Sequence, residues 1–446
     1  MKKIVVIGGG VAGKSFVSTS KKLNEEATYV VIRSNLRGPV PCGIPYALGT
    51  LENPNDNLSP DTEIVDKGSE LIVDDVVSIN REEKMVFLKN GQPVSYDQLV
   101  IATGSNPMVP PFEGMYLEGI RVIEKDLDKV VALRSKVEAA KSLVIVGGGF
   151  IGVELADEIS HLSNKKITLV EFAPCCLNVA FESQYSAEIE DKMKQHGINV
   201  KTGIAVQGFT GTDKVQKVQL STGESIDADL VFIVIGAVPN TLLAKEAGLE
   251  LDIRSAIKVD EFQRTSDPNI MAVGDCASKV DLFTKGISNI RLASIASKEG
   301  RNAAYNLMEN KRVIGPVGIT NLFSTAIKND YFAATGMTEQ QCWDAGYETV
   351  RIELSEFNRH PGKLPGAVKV KGTFFFDKRD LRLLGVQLAG NDQVAEMINI
   401  AGILIQNEGT AYDMFAYNYA THPMGTAAPN KYLFHLAATQ AISQHQ

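Results

Sequence analysis

The run Lys3-Ile4-Val5-Val6-Ile7-Gly8-Gly9-Gly10-Val11-Ala12-Gly13 decides how the rest of the chain is read. A short apolar stretch of β-branched residues predicts a strand, and G-x-G-x-x-G directly after it predicts a tight turn into a helix. A helix-compatible stretch to Leu23 and a second strand at residues 28–32 complete a βαβ unit. In such a turn the first glycine (Gly8) bends the chain and the second (Gly10) lets backbone approach a pyrophosphate. The third (Gly13) lets helix pack on strand, and the helix N-terminus attracts the phosphates. One such motif is weak evidence. The order recurs, however, as a strand at 143–146, then Gly147-Gly148-Gly149-Phe150-Ile151-Gly152, a helical run through His161 and a strand at 167–170. Two units in the same context predict two dinucleotide sites.

The residue closing the second strand of each unit separates the two sites. Glu171 stands there in the second unit, placed to hydrogen-bond both ribose hydroxyls, and no arginine follows it to receive a 2′-phosphate. NADH is therefore expected there rather than NADPH. In the first unit the strand ends in Arg33-Ser34, so the carboxylate is missing and the ribose must be held some other way, with Arg33 counted among the site residues. Residues 8–15 (GGGVAGKS) also satisfy the P-loop pattern G-x-x-x-x-G-K-[ST]. Against a phosphate-hydrolysing enzyme stand the second fingerprint, which lacks the lysine, and the want of a convincing strand-end aspartate for magnesium.

Composition narrows the class. The chain has 446 residues, enough for about three domains, with 44% hydrophobic and 22% charged residues. Lysine and arginine number 45 against 53 acids, a net charge of -8, the wrong sign for a nucleic-acid partner. No stretch approaches the ~20 apolar residues of a membrane span, and glycines break the only signal-like start, so a cytoplasmic protein is expected. The five cysteines form neither a C-x-x-C pair nor a zinc spacing; no metal is expected, and an important cysteine would work as a thiol. Cys175 and Cys176 are adjacent, a geometry that seldom bridges.

Between the units, residues 99–104 (LVIATG) read as a buried strand entering a turn at Thr103-Gly104, and residues 229–235 repeat that pattern before Gly236. Residues 270–275 form a further short strand ending at Gly274-Asp275, followed by a helix at 293–308 that contains Ala296. From about residue 317 the pattern changes to strands at 367–376 and 383–388 and a helix at 394–407, an α+β mixture. Cys42 sits between Pro41 and Gly43 in GPVPCGIPY, just after the first unit. A buried free cysteine is the ordinary reading, but a stretch so constrained is shaped as well as packed, and a helix N-terminus there could stabilise a thiolate.

Taken together, GGGVAG, PCGIPYALG, VIATGSNP, VIVGGGFIGVELA, VEFAP, IVIGAVPN and MAVGDCA resemble the flavoprotein pyridine nucleotide-disulfide oxidoreductases. The similarity is to the branch with a single redox cysteine, which contains coenzyme A-disulfide reductase, NAD(P)H sulfur, polysulfide or persulfide reductases, and NADH oxidases and peroxidases. It covers nearly the whole chain in the same order. It implies an α/β protein with two Rossmann-like domains and a C-terminal α+β dimerisation domain. The FAD domain would span 1–112 and 245–316, the NADH domain 113–244 and the dimerisation domain 317–446.

The resemblance also implies site roles. Gly8, Gly10, Gly13, Thr103, Gly104 and Asp275 would hold FAD, with Ala296 and Arg33 beside them; Gly147, Gly149, Gly152, Glu154, Glu171 and Gly236 would serve NADH. Cys42 matches the redox cysteine, and because Ala47 stands where two-cysteine relatives carry their second cysteine, it has no local partner. Its oxidised form would be a mixed disulfide, persulfide or sulfenic acid. Val11 stands where the oxidase and peroxidase members that reduce oxygen or peroxide fully tend to carry a histidine, which argues against a peroxidase. Tyr419 matches a tyrosine that disulfide-reducing members supply from the partner subunit, whereas His422-Pro423 and His360 depart from the family pattern. The expected enzyme is a homodimer, with active sites shared between subunits, that uses NADH to reduce a low-molecular-weight disulfide, persulfide or polysulfide. An NADH oxidase is the alternative, and a non-catalytic flavin redox sensor the remoter one.

Overall fold

The computed structural model describes residues 2–23, 26–62, 64–65, 69–307 and 317–445. They divide into two compact units. One comprises Met1–Lys141, Leu230–Asp281 and Lys285–Ile319, the other Ser142–Asp229, Leu282–Thr284 and Thr320–Gln446.

The first unit is built on five parallel strands in the order Ile270–Ala272, Gln98–Ile101, Lys2–Ile7, Ala27–Arg33, Ser69–Val73. Ile4, Val5 and Val6 are at most 1% exposed, as expected for a central parallel strand covered on both faces. From that strand the chain passes one way, through the helix Val11–Leu23 to Ala27–Arg33, and later returns on the other flank at Gln98–Ile101. The reversal places the Gly8 turn at the topological switch point, where open parallel sheets bind ligands. A second helix, Ala293–Asn306, packs along Val11–Leu23. Their approach is close: a Cβ on Gly300 would overlap the Ala12 carbonyl oxygen, and the Ser15 and Ser297 hydroxyls lie 2.8 Å apart. The helix read from sequence as 293–308 ends at Asn306, and Met308 lies outside the described residues.

In the second unit, strands Ser142–Val146, Lys166–Val170 and Ile198–Lys201 run parallel, with helix Phe150–Ser160 leaving the second glycine turn. A five-stranded antiparallel sheet follows, ordered Leu322–Ile327, Asp330–Gly336, Leu383–Gly390, Lys369–Asp377, Thr349–Phe357. Helices Gln393–Gln406 and Leu433–His445 bury Val394, Ile398, Phe434 and Ala437 against Phe374, Phe376 and Leu388 of this sheet. The Phe374 and Phe434 rings meet edge to face at 5.3 Å. The parallel layer is fastened to the antiparallel one. Phe150 stacks on Phe323 at 4.5 Å, Lys328 N donates to Asp157 Oδ2 at 3.0 Å, and the Tyr185 and Thr373 hydroxyls are 3.0 Å apart. No helix among the described residues is long and apolar enough to cross a membrane.

Candidate active site and family

Both glycine turns have the geometry their sequence asks for. Gly8 and Gly147 each take φ +116°, a left-handed value that side chains rarely adopt. A Cβ on Gly8 would overlap the Ala102 carbonyl, and one on Gly13 would overlap the Gly8 carbonyl. At Gly10 and Gly149 a Cβ would meet nothing within 4 Å, so the middle glycine of each turn fronts open space that a pyrophosphate can approach. Gly152 is buried in the helix that follows. The residues present thus fit a dinucleotide at each turn.

The strand-end residues behave differently. The Glu171 carboxylate accepts from the Gly148 amide and, at 2.6 Å, from Ala173 N, so it braces the loop from which it would also reach a ribose. Arg33 packs its aliphatic stem against Gly9, and its guanidinium is spent inside the protein. It donates to Asp61 Oδ1 and Oδ2 (2.7 Å each), to Asn35 O (2.8 Å) and to Leu36 O (2.5 Å). The lysine that gave the P-loop reading is likewise committed. Lys14 Nζ donates to Ser59 O (3.1 Å), Ser59 Oγ (2.7 Å) and Pro60 O (2.6 Å), an amine facing a loop of its own chain rather than the space before Gly10.

Other motifs converge on the first unit. Asp275, in the turn Gly274–Cys276, accepts from Ser105 Oγ at 2.7 Å and pairs with Lys125 at 3.4 Å, which joins the GSNP and VGDC segments. Thr103 Oγ1 donates to Asn240 O at 2.6 Å, and Gly104 (φ +71°) accepts from Asn240 N at 2.9 Å. Gly236 (φ +122°) precedes the strand Ala237–Pro239, which pairs with Ser105–Pro107. Ala296 and Ala12 present methyl groups to Gly274, whose φ of +77° has no room for a side chain. Sequence reasoning missed the buried Lys279–Glu299 pair (3.0 Å) behind this turn, where Glu299 also accepts from Gly274 N. No short motif marks it.

Cys42 is exposed, in a 3₁₀ turn Pro41–Gly43 that leads into a single helical turn, Ile44–Ala47. That turn is too short for the helix dipole expected to stabilise a thiolate. The other cysteines are free thiols; Cys176, Cys276 and Cys342 are buried, and burial raises the pKa of each. Only Cys42 and the half-buried Cys175 are open to solvent.

In the second unit the segments that carry His360 and His422 meet. His360 N donates to Pro423 O (3.1 Å) and its Nδ1 lies 3.0 Å from Thr426 O, so the 360 and 422 segments form one surface. His422 is exposed and its Nδ1 accepts from Met424 N at 3.3 Å, which leaves the neutral ring's proton on Nε2. Tyr419 stacks on Tyr432 (4.1 Å), donates its hydroxyl to Pro429 O, and is pushed up in pKa by burial. His435, which the sequence reading passed over, lies edge-on to Tyr419 at 4.8 Å and contacts Tyr417 O at 3.1 Å.

Glu154 lies on the helix of the second glycine turn, with Thr325 Oγ1 donating to it at 3.3 Å. Burial raises its pKa to about 7; the Thr325 bond opposes this and the neighbouring Glu158 charge adds to it. A carboxyl raised from 4.5 on folding contributes stability that is intact below pH 4.5 and is lost as pH rises through about 7. Glu154→Gln should therefore resemble the parent protein in denaturant midpoint at pH 4 and exceed it increasingly up to pH 8. Parallel midpoint-against-pH curves would contradict the assignment.

A family model described as pyridine nucleotide-disulphide oxidoreductase matches residues 2–300, and the dimerisation domain of the same family matches residues 324–431. The chain belongs to this family. This oxidoreductase is 31% identical over 430 residues to the NAD(P)H coenzyme A polysulfide/persulfide reductase of Pyrococcus horikoshii, with 95% of each chain covered. It is 30% identical over 433 residues to the NADH oxidase of Enterococcus faecalis, covering 94% of this chain and 95% of that one. Its fold matches the NAD-dependent persulfide reductase from A. fulgidus with a TM-score of 0.91 at 26% identity, over 99% of this chain and 83% of the other. The oxidoreductase is accordingly an FAD- and NAD(P)H-dependent enzyme, and its dimerisation domain supports a homodimer.

Proposed function

We propose that the oxidoreductase uses NADH to reduce a low-molecular-weight disulfide, persulfide or polysulfide in the cytoplasm, through Cys42 as its one redox-active sulfur. For a disulfide the balance is RSSR′ + NADH + H⁺ → RSH + R′SH + NAD⁺. The observation that carries this reading is the exposed Cys42, held in a constrained turn of the unit that bears the FAD-type glycine turn, while three of the other four thiols are buried. The reductase names of relatives covering almost the whole chain agree with it. Glu171 supports NADH over NADPH, because its carboxylate would repel a 2′-phosphate.

Bound FAD would supply the two-electron relay from NADH, held by Gly8, Gly10, Gly13, Thr103, Gly104 and Asp275. The Cys42 thiolate attacks one sulfur of the substrate, the S–S bond breaks, and a mixed disulfide forms as R′S⁻ leaves. His422 of the partner subunit, acting as its imidazolium and left as the neutral imidazole, protonates that leaving thiolate, with Tyr419 of the partner subunit as the alternative donor. Two electrons from NADH and one proton then cleave the mixed disulfide, which restores the Cys42 thiolate and releases RSH. The exposed imidazole suits this role better than Tyr419, whose hydroxyl is already given to Pro429 O. His422→Ala should lower disulfide turnover by roughly 10²-fold with flavin reduction by NADH intact, and Tyr419→Phe by less. Equal, unchanged rates in both variants would remove the pair from the mechanism.

Anaerobic NADH oxidation by the purified enzyme, with coenzyme A disulfide, coenzyme A persulfide, polysulfide, glutathione disulfide and peroxide supplied in parallel, tests the reading. Turnover with at least one sulfur acceptor is the expected result. No anaerobic turnover with any sulfur acceptor, but oxygen uptake stoichiometric with NADH in a separate aerobic assay, would move the protein to the NADH oxidases, to which it is similar over most of its length. Negligible turnover with every acceptor would leave only a sensor.

A further inference from the structure

The lysine of GGGVAGKS has no part in the function proposed above, yet it is 7% exposed and three backbone or hydroxyl oxygens accept from it. Those acceptors belong to Ser59 and Pro60, and the segment they hold runs beside the Cys42 turn as a strap. Ser59 N donates to Gly38 O at 2.9 Å, Pro39 and Leu58 form a β-bridge, and Val40 N donates to Asn57 O at 2.8 Å. Asn57, 4% exposed, returns its Nδ2 to Val40 O at 3.1 Å, and its Oδ1 sits where a Cβ on Gly43 would fall. Gly43 is the residue after the redox sulfur. At its other end the strap is pinned a second time, because Asp61 receives both arms of Arg33 and lies 3.5 Å from Lys14 Nζ. Burial works against ionising Asp61, but the bonds and charge of Arg33, with the charge of Lys14, outweigh it and hold the carboxyl below its ordinary range.

The two departures from the nucleotide fingerprint are thus one device. An arginine stands where the ribose carboxylate is expected, a lysine stands on the first turn of the helix, and both grip residues 59–61. We infer that Lys14 is a positioning residue: with Arg33 and Asp61 it clamps the 57–61 strap to the glycine-turn helix and so fixes the Cys42 turn, setting the orientation and reactivity of its sulfur. This inference rests on the reading of Cys42 as the redox sulfur. The lysine touches neither substrate nor cofactor in this scheme. Its amine instead donates to Ser59 O, Ser59 Oγ and Pro60 O of the strap.

The test uses the intact holoenzyme and Lys14→Met, with four measurements: flavin content, NADH-ferricyanide activity, disulfide turnover, and the pH profile of iodoacetamide alkylation at the Cys42 peptide, followed by mass spectrometry. Flavin content and ferricyanide reduction, which need no cysteine, should stay within about twofold. Disulfide turnover should fall roughly tenfold or more, the scale of loss that a misplaced reacting group produces, and the alkylation profile should shift. Lys14→Arg should restore part of both, since a guanidinium can reach the same carbonyls. If Lys14→Met does not retain flavin, Asn57→Ala cuts the strap at its far end and must show the same signature. Unchanged alkylation and disulfide turnover in the variant that retains flavin overturn the clamp. Full disulfide turnover in Cys42→Ser would instead overturn the underlying reading, whatever Lys14→Met does.

Discussion

Cys42→Ser should fold, bind flavin and accept electrons from NADH, yet lose disulfide or persulfide reduction by on the order of 10³-fold or more. A hydroxyl can neither attack an S–S bond at neutral pH nor form the mixed disulfide, so the covalent step vanishes outright. The residue is exposed, and its turn is also held by the bonds among Val40, Gly43 and Asn57, so the fold should be retained. The informative comparison is ferricyanide against disulfide as acceptor in one preparation. Loss of both activities together would mean that the substitution damaged the flavin site, and loss of neither would remove Cys42 from the chemistry. Oxygen uptake by the same variant adds a further distinction, since an oxidase that needs no thiol would keep consuming NADH.

The second large effect is expected at Gly8. Alanine there must adopt φ +116°, and its Cβ must overlap the Ala102 carbonyl, which belongs to the neighbouring strand's exit and cannot swing aside. The strain of a side chain at such a φ is of order 1–3 kcal/mol before any overlap is counted. The turn would have to open at the switch point, where the proposed function has FAD held. Gly8→Ala should purify with little or no flavin and a lowered thermal midpoint, whereas Gly10→Ala, whose Cβ meets only open space, should fold normally and lose flavin affinity alone. Absorbance of bound flavin beside the apoprotein's melting curve separates the two. A yellow, fully stable Gly8→Ala protein would refute the geometric argument.

What the sequence made legible were features that short local patterns encode. The glycine turns, the parallel strands before them, the positions of Cys42 and Asp275, and the α+β character of the last third were all readable within a few residues. The strands Leu322–Ile327, Asp330–Gly336 and Thr349–Phe357 were not. Ser324, Thr325, Glu353 and Ser355 dilute their apolar content, and their pairing is fixed by partners far along the chain. The same limit applied at the site. That Arg33 meets Asp61, that Lys14 meets Ser59, and that His360 meets the 422–426 segment are facts of tertiary contact across 28, 45 and 66 residues, which no local spacing reports. The P-loop pattern shows the converse error, in which a letter-perfect motif is satisfied by a lysine employed elsewhere.

Glu171 has a consequence for attempts to redesign the coenzyme preference. Its carboxylate is also the acceptor for the Gly148 and Ala173 amides, so exchanging it for a neutral or basic residue to admit a phosphorylated nucleotide would strip two donors of their partner. A switch to NADPH would need a surrogate acceptor installed alongside the new cation. Without one, the retargeted pocket would be undone by the floppiness of its own floor.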